Sequence, residues 1–340
     1  MTIVLDAMGS DQYPDPEIQA AVTAAELYGE EIILVGNRAL LEPKLQALNL
    51  KKLPVTIEDA PDLVEMGEKP VEAARRKPRN SMAVGLSLIK SGRAQAFVSA
   101  GNTGAAMFNA LRVLGRIPGV ARPGLTALFP VKGGYSAVVD IGANSECRPE
   151  FLLQFAVMGS VYVERVLKIS NPRVGLLSNG EEAGKGNVLT HDTYPLLEKS
   201  GLNFIGNIEG KELFGGQADV VVTDGFTGNI LLKSSEAVAK LLVDNLREEL
   251  MASFVTKIGA LLAKPAFTKL KKLLDPSETG AAPLLGIDGL VFVGHGRSDS
   301  HALVSAIRVA HQAIQADLLE SLRTAIKDRL ALLESPTPTE

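Results

Sequence analysis

The sequence has 340 residues, a formal net charge of −4, 46% hydrophobic residues and 22% charged residues. These values are typical of a folded protein with a sizeable core, either one large α/β unit or two domains, and the negative net charge argues against general nucleic-acid binding. The single cysteine, Cys147, excludes an internal disulfide and a cysteine-rich zinc site, and no apolar run reaches the roughly 18 residues of a membrane-spanning helix.

The amino terminus begins an alternation of strands and helices. Residues 1–6 lack the basic segment, apolar segment and cleavage site of a secretory signal, so we expect a cytoplasmic protein. Residues 3–5, 32–35 and 53–57 predict strands, and residues 16–28 predict a helix. This alternation predicts a mostly parallel sheet that binds ligands beyond the carboxyl ends of its strands. Four polar residues are expected at such ends, either as ligand contacts or as turn and cap residues: Asp6, Asp11, Asn102 and Asp224.

A run of positive charge follows, between a predicted helix and a predicted helix cap at Asn80 or Ser81. Such a run is usually a solvated face, but an acidic partner or a phosphate would also bind it. Its cations are Arg75, Arg76, Lys77 and Arg79.

Two similar glycine turns stand out in the middle of the chain. Residues 99–105 read Ser-Ala-Gly-Asn-Thr-Gly-Ala, follow the apolar residues 96–98 and precede a helical pattern. Residues 222–229 repeat the order apolar, hydroxyl, any residue, Gly, any residue, Thr, Gly. A glycine turn before a helix lets backbone N–H groups approach an anion. We therefore predict that the two turns are loops that form two walls of one cleft.

The central segment supplies further strands and a lysine-containing loop. Residues 125–129, 136–139, 173–177 and 219–222 predict strands. The loop at 179–186 lacks the spacing of a nucleotide P-loop, because a glycine follows its lysine. Lys185 is predicted either to bind a small phosphate or to be an exposed cap lysine. On the apolar helix around 154–159, three residues are predicted to be core or subunit contacts rather than a cofactor site: Phe155, Met158 and Tyr162.

The carboxyl-terminal third begins with a predicted amphipathic helix at 230–250. Residues 250–274 then contain five lysines and no acidic residue, and we expect Pro265 to divide them into two short amphipathic helices. This pattern fits a helical hairpin that binds an anionic membrane surface, and it fits equally a contact with a second subunit. Five apolar residues are the predicted membrane contacts: Phe254, Ile258, Leu261, Leu262 and Phe267.

The last segments are predicted as a loop at 280–285, a strand at 290–293, a glycine turn at 294–298, one long helix to residue 333 and a frayed end at 335–340. The glycine turn contains His295, which is either a proton donor or a turn histidine.

Together, eight of these segments resemble the phosphate acyltransferase family of bacterial phospholipid synthesis: 6–9, 99–105, 140–144, 154–159, 185–186, 204–210, 224–232 and 295–296. The resemblance implies transfer of a fatty acyl group from acyl carrier protein to inorganic phosphate. It implies a three-layer αβα fold with a mostly parallel central sheet, similar to isopropylmalate dehydrogenase and phosphotransacetylase, in a single two-lobed domain. It also implies a homodimer and a membrane-contacting hairpin, placed here at roughly 246–275, and no metal or cofactor. Two positions depart from the family pattern, Ser10 in place of a glycine and Arg297 in place of a serine.

The residues favour direct attack of phosphate on a thioester, since no G-x-S-x-G occurs and Cys147 has no evident histidine partner. Phosphate and the developing oxyanion are assigned to Lys185 and to the groups around Asn102, Thr103, Thr227 and Asn229. Asp224 and His295 are assigned to orientation and to proton handling. Six further positions are predicted to contact phosphate or the acyl group: Asp6, Gly9, Gly101, Gly104, Gly225 and Gly228.

Acyl carrier protein is acidic, so residues 75–79 are its predicted docking patch. Two alternatives remain open, a phosphate acetyl- or butyryltransferase that uses coenzyme A and a membrane scaffold without catalysis. A nucleotide-dependent dehydrogenase is disfavoured, because no G-x-G-x-x-G follows a strand.

Overall fold

In the computed structural model, residues 1–48 and 53–334 are described. The strands are β1 (Thr2–Asp6), β2 (Glu31–Gly36), β3 (Val55–Asp59), β4 (Ala96–Ser99), β5 (Gly124–Val131), β6 (Gly134–Val139), β7 (Val174–Leu177), β8 (Phe204–Ile208), β9 (Val220–Val222), β10 (Ala282–Leu285) and β11 (Leu290–Val293). The helices are α1 (Asp15–Tyr28), α2 (Arg38–Ala47), α3 (Pro70–Arg76), α4 (Ser81–Lys90), α5 (Thr103–Val113), α6 (Pro149–Val166), α7 (Val188–Glu198), α8 (Gly210–Gly215), α9 (Gly225–Met251), α10 (Phe254–Leu274), α11 (Pro276–Thr279), α12 (Ser300–Gln315) and α13 (Leu318–Glu334).

The described strands form one sheet in the order β3-β2-β1-β4-β11-β10-β5-β6-β9-β7-β8. Neighbours are parallel except for three antiparallel pairs, β11 with β10, β10 with β5, and β5 with β6. We call the part of the sheet formed by β3, β2, β1, β4, β11 and β10 lobe A. The part formed by β5, β6, β9, β7 and β8 is lobe B. The lobes are joined where Leu284 pairs with Leu125 and Leu285 pairs with Gly124. The mostly parallel sheet of the predicted fold is confirmed.

Helices cover both faces of this sheet, because strand residues alternate between two separate cores. Ile3 and Leu5 pack into one cluster with residues of α1, α6 and α12, whereas Val4 packs into the other with residues of α4 and α5. Period-two alternation of apolar side chains gives a strand two buried faces when both faces are covered. The three-layer arrangement follows directly from this burial. Phe155, Met158 and Tyr162 are fully buried core residues, as one of the two interpretations predicted.

Several predicted boundaries were wrong. Strand β3 lies two residues later than predicted and follows residues 49–52, which are outside the described residues. Most of the predicted loop at 280–285 is strand β10, which is buried between β11 and β5. The predicted frayed end at 335–340 also lies outside the described residues.

The helices at the carboxyl end also differ from prediction. Pro265 does not divide the segment after α9, since α10 runs through it, although a proline removes one hydrogen bond from a helix. The predicted single helix to residue 333 is two helices, because Asp317 adopts φ +50° and ends the first one. Asp tolerates this left-handed conformation better than most residues, and its carbonyl then accepts from the Ser321 N–H of α13.

Candidate active site

The first glycine turn joins β4 to α5, and Asn102 is the N-cap of that helix. Its Oδ1 accepts a hydrogen bond from the Ala105 N–H at 3.0 Å, and its Nδ2 donates to the Met66 carbonyl at 2.9 Å. The Asn102 side chain is therefore engaged in shaping the turn. The first N–H groups of a helix have no intrahelical partners and can face a ligand, and here they belong to Thr103 and its neighbours.

A buried aspartate supports this turn from below. The Asp6 carboxylate accepts from the Ser99 hydroxyl at 2.6 Å, and the Ser99 hydroxyl oxygen accepts from the Gly101 N–H at 3.0 Å. Burial raises the pKa of Asp6. A Cβ on Gly9 would lie 2.8 Å from the Gly101 nitrogen, so the turn after β1 contacts the first glycine turn through backbone atoms. Asp6, Gly9 and Gly101 hold the turn in place from behind.

The second glycine turn is not a loop, which corrects the prediction, because α9 begins at Gly225. Asp224 is its N-cap and accepts from both the Thr227 N–H at 2.9 Å and the Thr227 hydroxyl at 2.7 Å. The Thr227 hydroxyl is therefore engaged with the cap. Both turns are helix N-termini capped by an Asn or Asp side chain, a role such residues commonly take.

A second buried aspartate supports α9. The Asp140 carboxylate accepts backbone N–H groups from Leu125, Gly142, Ala143 and Asn144 at 2.7–3.1 Å, together with the Asn144 side-chain amide. Burial raises the pKa of Asp140, and these donors act in the opposite direction.

Helix α9 packs directly on the loop that Asp140 shapes. The Gly225 N–H donates to the Asn144 carbonyl at 2.8 Å. A Cβ on Gly228 would overlap the Asp140 carbonyl oxygen, so only glycine fits there. The contact brings Asn229 against Gly142, whose Cβ position would lie 3.8 Å from the Asn229 side chain.

The two glycine turns follow strands that run in opposite directions, so they lie at opposite strand ends of the sheet. Strand β4 is parallel to β11, and the three antiparallel pairings between β11 and β6 reverse the direction of β6 and of β9, which is parallel to β6. Thr103 and Asn229 nevertheless line the same cavity, of about 670 Å³, which lies between the lobes under α9 and the end of α10. The prediction that the turns form two walls of one cleft fits this cavity, although they approach it from opposite edges.

Polar side chains form one side of this cavity. Three of them lie on α9, Asn229, Lys233 and Glu236, and the fourth is His295, which follows β11. We call these four residues the polar stripe. The Glu236 carboxylate lies 3.2 Å from the Lys233 ammonium and 3.7 Å from the His295 Nε2. Burial lowers the pKa of His295 below 6.5, Glu236 opposes this, and Lys233 and Arg297 add to it. Neutral His295 can therefore accept a proton near pH 7.

The predicted site residues fall into three groups. Thr103, Asn229 and His295 line the cavity. Nine others build or support the turns behind it: Asp6, Gly9, Gly101, Asn102, Gly104, Asp224, Gly225, Thr227 and Gly228. Lys185 does neither, since it lies exposed in the loop after β7, where its N–H donates to the Glu182 carbonyl at 2.9 Å.

Sequence analysis missed Lys233, Glu236 and Gly142 as cavity residues. Lys233 and Glu236 follow Asn229 by four and seven residues, the spacing that places side chains on one face of a helix. That signal was readable only once residues 225–229 were known to be helical.

The two departures from the family pattern have ordinary surroundings. The Ser10 N–H donates to buried Glu17 at 2.9 Å, so serine fits the turn without a special backbone conformation. Arg297 is exposed and lies 3.9 Å from Glu236.

The basic run lies beside the first turn, because Pro70 of α3 packs against Gly104. Three of its four cations already pair with carboxylates of the chain: Arg76 and Lys77 with Glu68, and Arg79 with Asp59. The Arg75 guanidinium lies 5.9 Å from the centre of the Phe108 ring.

The hairpin of α9 and α10 carries an exposed apolar surface. Phe254 and Leu262 are 78% and 79% exposed, Ile258 and Leu261 are also exposed, and Phe267 is only half-exposed. Among the described helices, none combines the length and apolar character needed to cross a bilayer.

One acidic cluster, Glu181, Glu209 and Glu212, has a geometry that could hold a metal ion. The Lys211 ammonium lies 2.9 Å from Glu181, 3.7 Å from Glu209 and 3.4 Å from Glu212. This lysine already pairs with all three carboxylates and offsets part of their charge.

Comparison with known families places the chain clearly. The model of the family described as "Fatty acid synthesis protein" matches residues 1–321. A phosphate acyltransferase of Elusimicrobium minutum is 45% identical over 335 residues, which cover 98% of each chain. A phosphate acyltransferase of Acidobacterium capsulatum is 46% identical over 321 residues, covering 94% of this chain and 95% of the relative.

Solved structures agree on the fold. The EutD phosphotransacetylase of Staphylococcus aureus matches with a TM-score of 0.57 and 17% identity, covering 96% of this chain and 94% of that one. A putative 4-hydroxythreonine-4-phosphate dehydrogenase of Salmonella typhimurium matches with a TM-score of 0.54 and 14% identity, covering 92% and 98%. The predicted likeness to phosphotransacetylases and to a dehydrogenase fold is confirmed.

Proposed function

Because the chain belongs to the fatty acid synthesis protein family whose members are named phosphate acyltransferases, we propose that it transfers a fatty acyl group from acyl carrier protein to inorganic phosphate. The product is an acyl phosphate for phospholipid synthesis. One observation carries the proposal: a single cavity joins a polar stripe to an apolar wall formed by β5, Phe214, Val238 and Leu242. The reaction needs such a cavity, since it brings a charged acceptor to the head of a long apolar donor.

The acceptor site is assigned to the polar stripe. Phosphate would bind between the Asn229 amide and the Lys233 ammonium, and Thr103 at the start of α5 lines the same cavity. The sequence also predicts that Lys185 binds phosphate. This stays a prediction, and Lys185 does not line the cavity. The two lysines are therefore competing candidates for the same role.

The chemistry is proposed as one displacement. A phosphate oxygen attacks the thioester carbonyl carbon, the carbon–sulfur bond breaks, and the sulfur leaves as a thiolate that takes a proton from solvent. Neutral His295 takes the proton of a monoanionic phosphate as it attacks. Cys147 is unsuited as a covalent nucleophile, because burial raises the pKa of its thiol to about 11.

The carrier protein is proposed to dock on the basic run. Arg75 and Arg76 lie on α3, which packs against the turn that leads to Thr103, so a carrier bound there would face one end of the cavity. Lys77 is held 2.5 Å from Glu68 and is only 30% exposed, so we assign it a structural role within the patch.

The exposed hairpin is proposed to contact an anionic membrane surface, and the protein is proposed to be a homodimer, as the family resemblance implies. Making Phe254, Leu261 and Leu262 polar should abolish flotation with anionic liposomes while leaving the sedimentation behaviour unchanged. Loss of the dimer in the same variant, with flotation retained, would assign this surface to the subunit contact instead.

The main experiment incubates the purified protein and phosphate with palmitoyl-acyl carrier protein or palmitoyl-coenzyme A and measures acyl phosphate with hydroxylamine. We expect the carrier-protein thioester to be strongly preferred. Equal or better use of coenzyme A would support the coenzyme A-dependent alternative, and no product from either thioester would favour a scaffold.

Two variants test the acceptor site. Asn229→Ala should lower kcat/KM by about 100-fold, the typical loss of one oxyanion donor, without changing the unfolding midpoint. Lys185→Ala and Lys233→Ala are compared by their KM for phosphate, with Lys240→Ala, exposed on α9, as control. The lysine that binds phosphate is the one whose loss raises this KM.

Charge reversal tests the docking patch. Arg75→Glu with Arg76→Glu should raise the KM for acyl carrier protein, whereas Arg165→Glu with Lys199→Glu, exposed on the other lobe, should not. Equal KM values for the two double variants would refute docking on α3.

A further inference from the structure

The apolar wall of the cavity has a definite far corner. Strand β5 starts beside the loop that carries Gly142, because the Ile141 N–H donates to the Leu125 carbonyl at 3.0 Å. Phe129 lies four residues further along, about 13 Å away at the rise of a strand. It is also two strands from β11, which leads to His295, and this separation is about 10 Å in the sheet.

Two aromatic rings close this corner. The rings of Phe129 and Phe214 contact each other with centroids 6.3 Å apart and planes at 57°. The Lys132 N–H donates to the Phe214 carbonyl at 3.0 Å, so Phe214 stands just beyond the end of β5. Phe129 is 2% exposed and Phe214 is 40% exposed, which places one ring inside the wall and the other at its outer edge.

Helix α9 changes character over the same interval. Its cavity-lining residues begin with Asn229 and Lys233 and end with Val238, Ala239 and Leu242. The distance from Asn229 to Leu242 is about 20 Å at the helical rise. The α9 wall of the cavity therefore passes from polar to apolar side chains, and the β5 wall is apolar except at Thr126.

We infer that the apolar part of the cavity, lined by Phe129, Phe214, Ala239 and Leu242 and called the corner here, receives the methyl end of the acyl chain and limits the chain length that the enzyme accepts. This inference rests on the proposed function. The occupant is an acyl chain because the corner is continuous with the polar stripe, carries no charged side chain, and belongs to a cavity of the size usual for small-molecule sites.

Two alanines on α9 give a matched test. Ala239 lines the corner, whereas Ala237 is exposed and does not line the cavity. We measure kcat/KM for acyl phosphate formation from octanoyl-, myristoyl-, palmitoyl- and stearoyl-acyl carrier protein. Ala239→Phe should lower kcat/KM for the two longest chains at least about tenfold and leave octanoyl transfer within about twofold of wild type. Ala237→Phe should leave the whole profile unchanged.

Enlarging the corner gives the opposite change. Phe214→Ala, at a partly exposed position, should raise kcat/KM for stearoyl transfer relative to myristoyl transfer several-fold. Identical chain-length profiles for wild type, Ala239→Phe and Phe214→Ala would overturn the inference.

A binding measurement separates this inference from the proposed function. The fluorescent fatty acid cis-parinaric acid should bind wild type and Ala237→Phe equally and Ala239→Phe at least about tenfold more weakly. That result supports the corner even if no thioester yields product, in which case the proposed function alone fails. Unchanged binding to Ala239→Phe overturns the inference even if acyl transfer is observed.

Discussion

The start of α5 and the start of α9 are built from similar sequences but face opposite edges of the sheet. Each begins after a buried strand, each is capped by Asn102 or Asp224, and each rests on a buried aspartate, Asp6 or Asp140. Local sequence therefore determines the local turn in both places. The end of the sheet at which each turn lies depends on the antiparallel pairing of β10 and β5 with their neighbours. The sequence of either turn does not predict this pairing.

The two turns also differ in how closely they are packed. A Cβ on Gly228 of the α9 turn would meet backbone atoms of the Asp140 loop, whereas a Cβ on Gly104 of the α5 turn would meet the ring of Pro70. Because hydrogen bonds to Asp140 hold that loop in place, Gly228 should tolerate an added side chain less well than Gly104 does.

The largest effect expected from this difference comes from the glycines. Gly228→Ala should lower the free energy of unfolding by about 3 kcal/mol or more, because its Cβ would overlap the Asp140 carbonyl. Gly104→Ala should cost about 1–2 kcal/mol, since its Cβ would lie 2.7 Å from the Pro70 ring, which can shift only with the start of α3, while alanine favours the helix. Urea unfolding of both variants measures the difference, and equal midpoints would show that the packing contrast has no energetic weight.

A smaller contrast should separate the two aspartates. Asp140→Asn places an amide against backbone N–H groups and should cost about 2–3 kcal/mol. Asp6→Asn should cost about 1 kcal/mol or less, because the new amide can donate to the Ser99 hydroxyl and burial already disfavours the charge of Asp6. Thermal unfolding in parallel checks this order, and the reverse order would contradict it.

The smallest expected effect is a pH dependence on the α5 side. Burial raises the pKa of Glu17 from 4.5 to about 7. The folded state therefore holds this proton more tightly than the unfolded state, and the stability it provides below pH 4.5 is lost as pH rises through about 7.

Between pH 5 and pH 8 this loss should be about 2 kcal/mol. Glu17→Gln should remove it, as measured by urea unfolding at the two pH values. An equally steep loss of stability in the variant would assign the pH dependence to another group.

Much of the local structure could be predicted from the sequence. The cap at Asn80, the strands around β1, β2 and β11 and the buried face of α6 follow from short-range patterns of apolar and capping residues. Period and cap chemistry depend on neighbours a few residues away, which a single sequence shows directly.

The rest depends on contacts between distant segments. Lys233 and Glu236 look like ordinary charges of an amphipathic helix until β5 and β10 place a cavity beside them. Strand β10 is only four residues long, and its strand conformation comes from pairing with β11 and β5. Asp317 ends a helix where apolar periodicity continues across it.

Finally, the tip of the hairpin formed by α9 and α10 can change in sequence without changing the cavity. Cavity residues on α9 end at Leu242 and on α10 resume at Leu273, so within the described chain the tip between them does not line the cavity. Evolution can lengthen, shorten or recharge this tip without disturbing the register of a single strand. Under the proposed function, the residues that contact the membrane and those that carry out the reaction can therefore be selected independently.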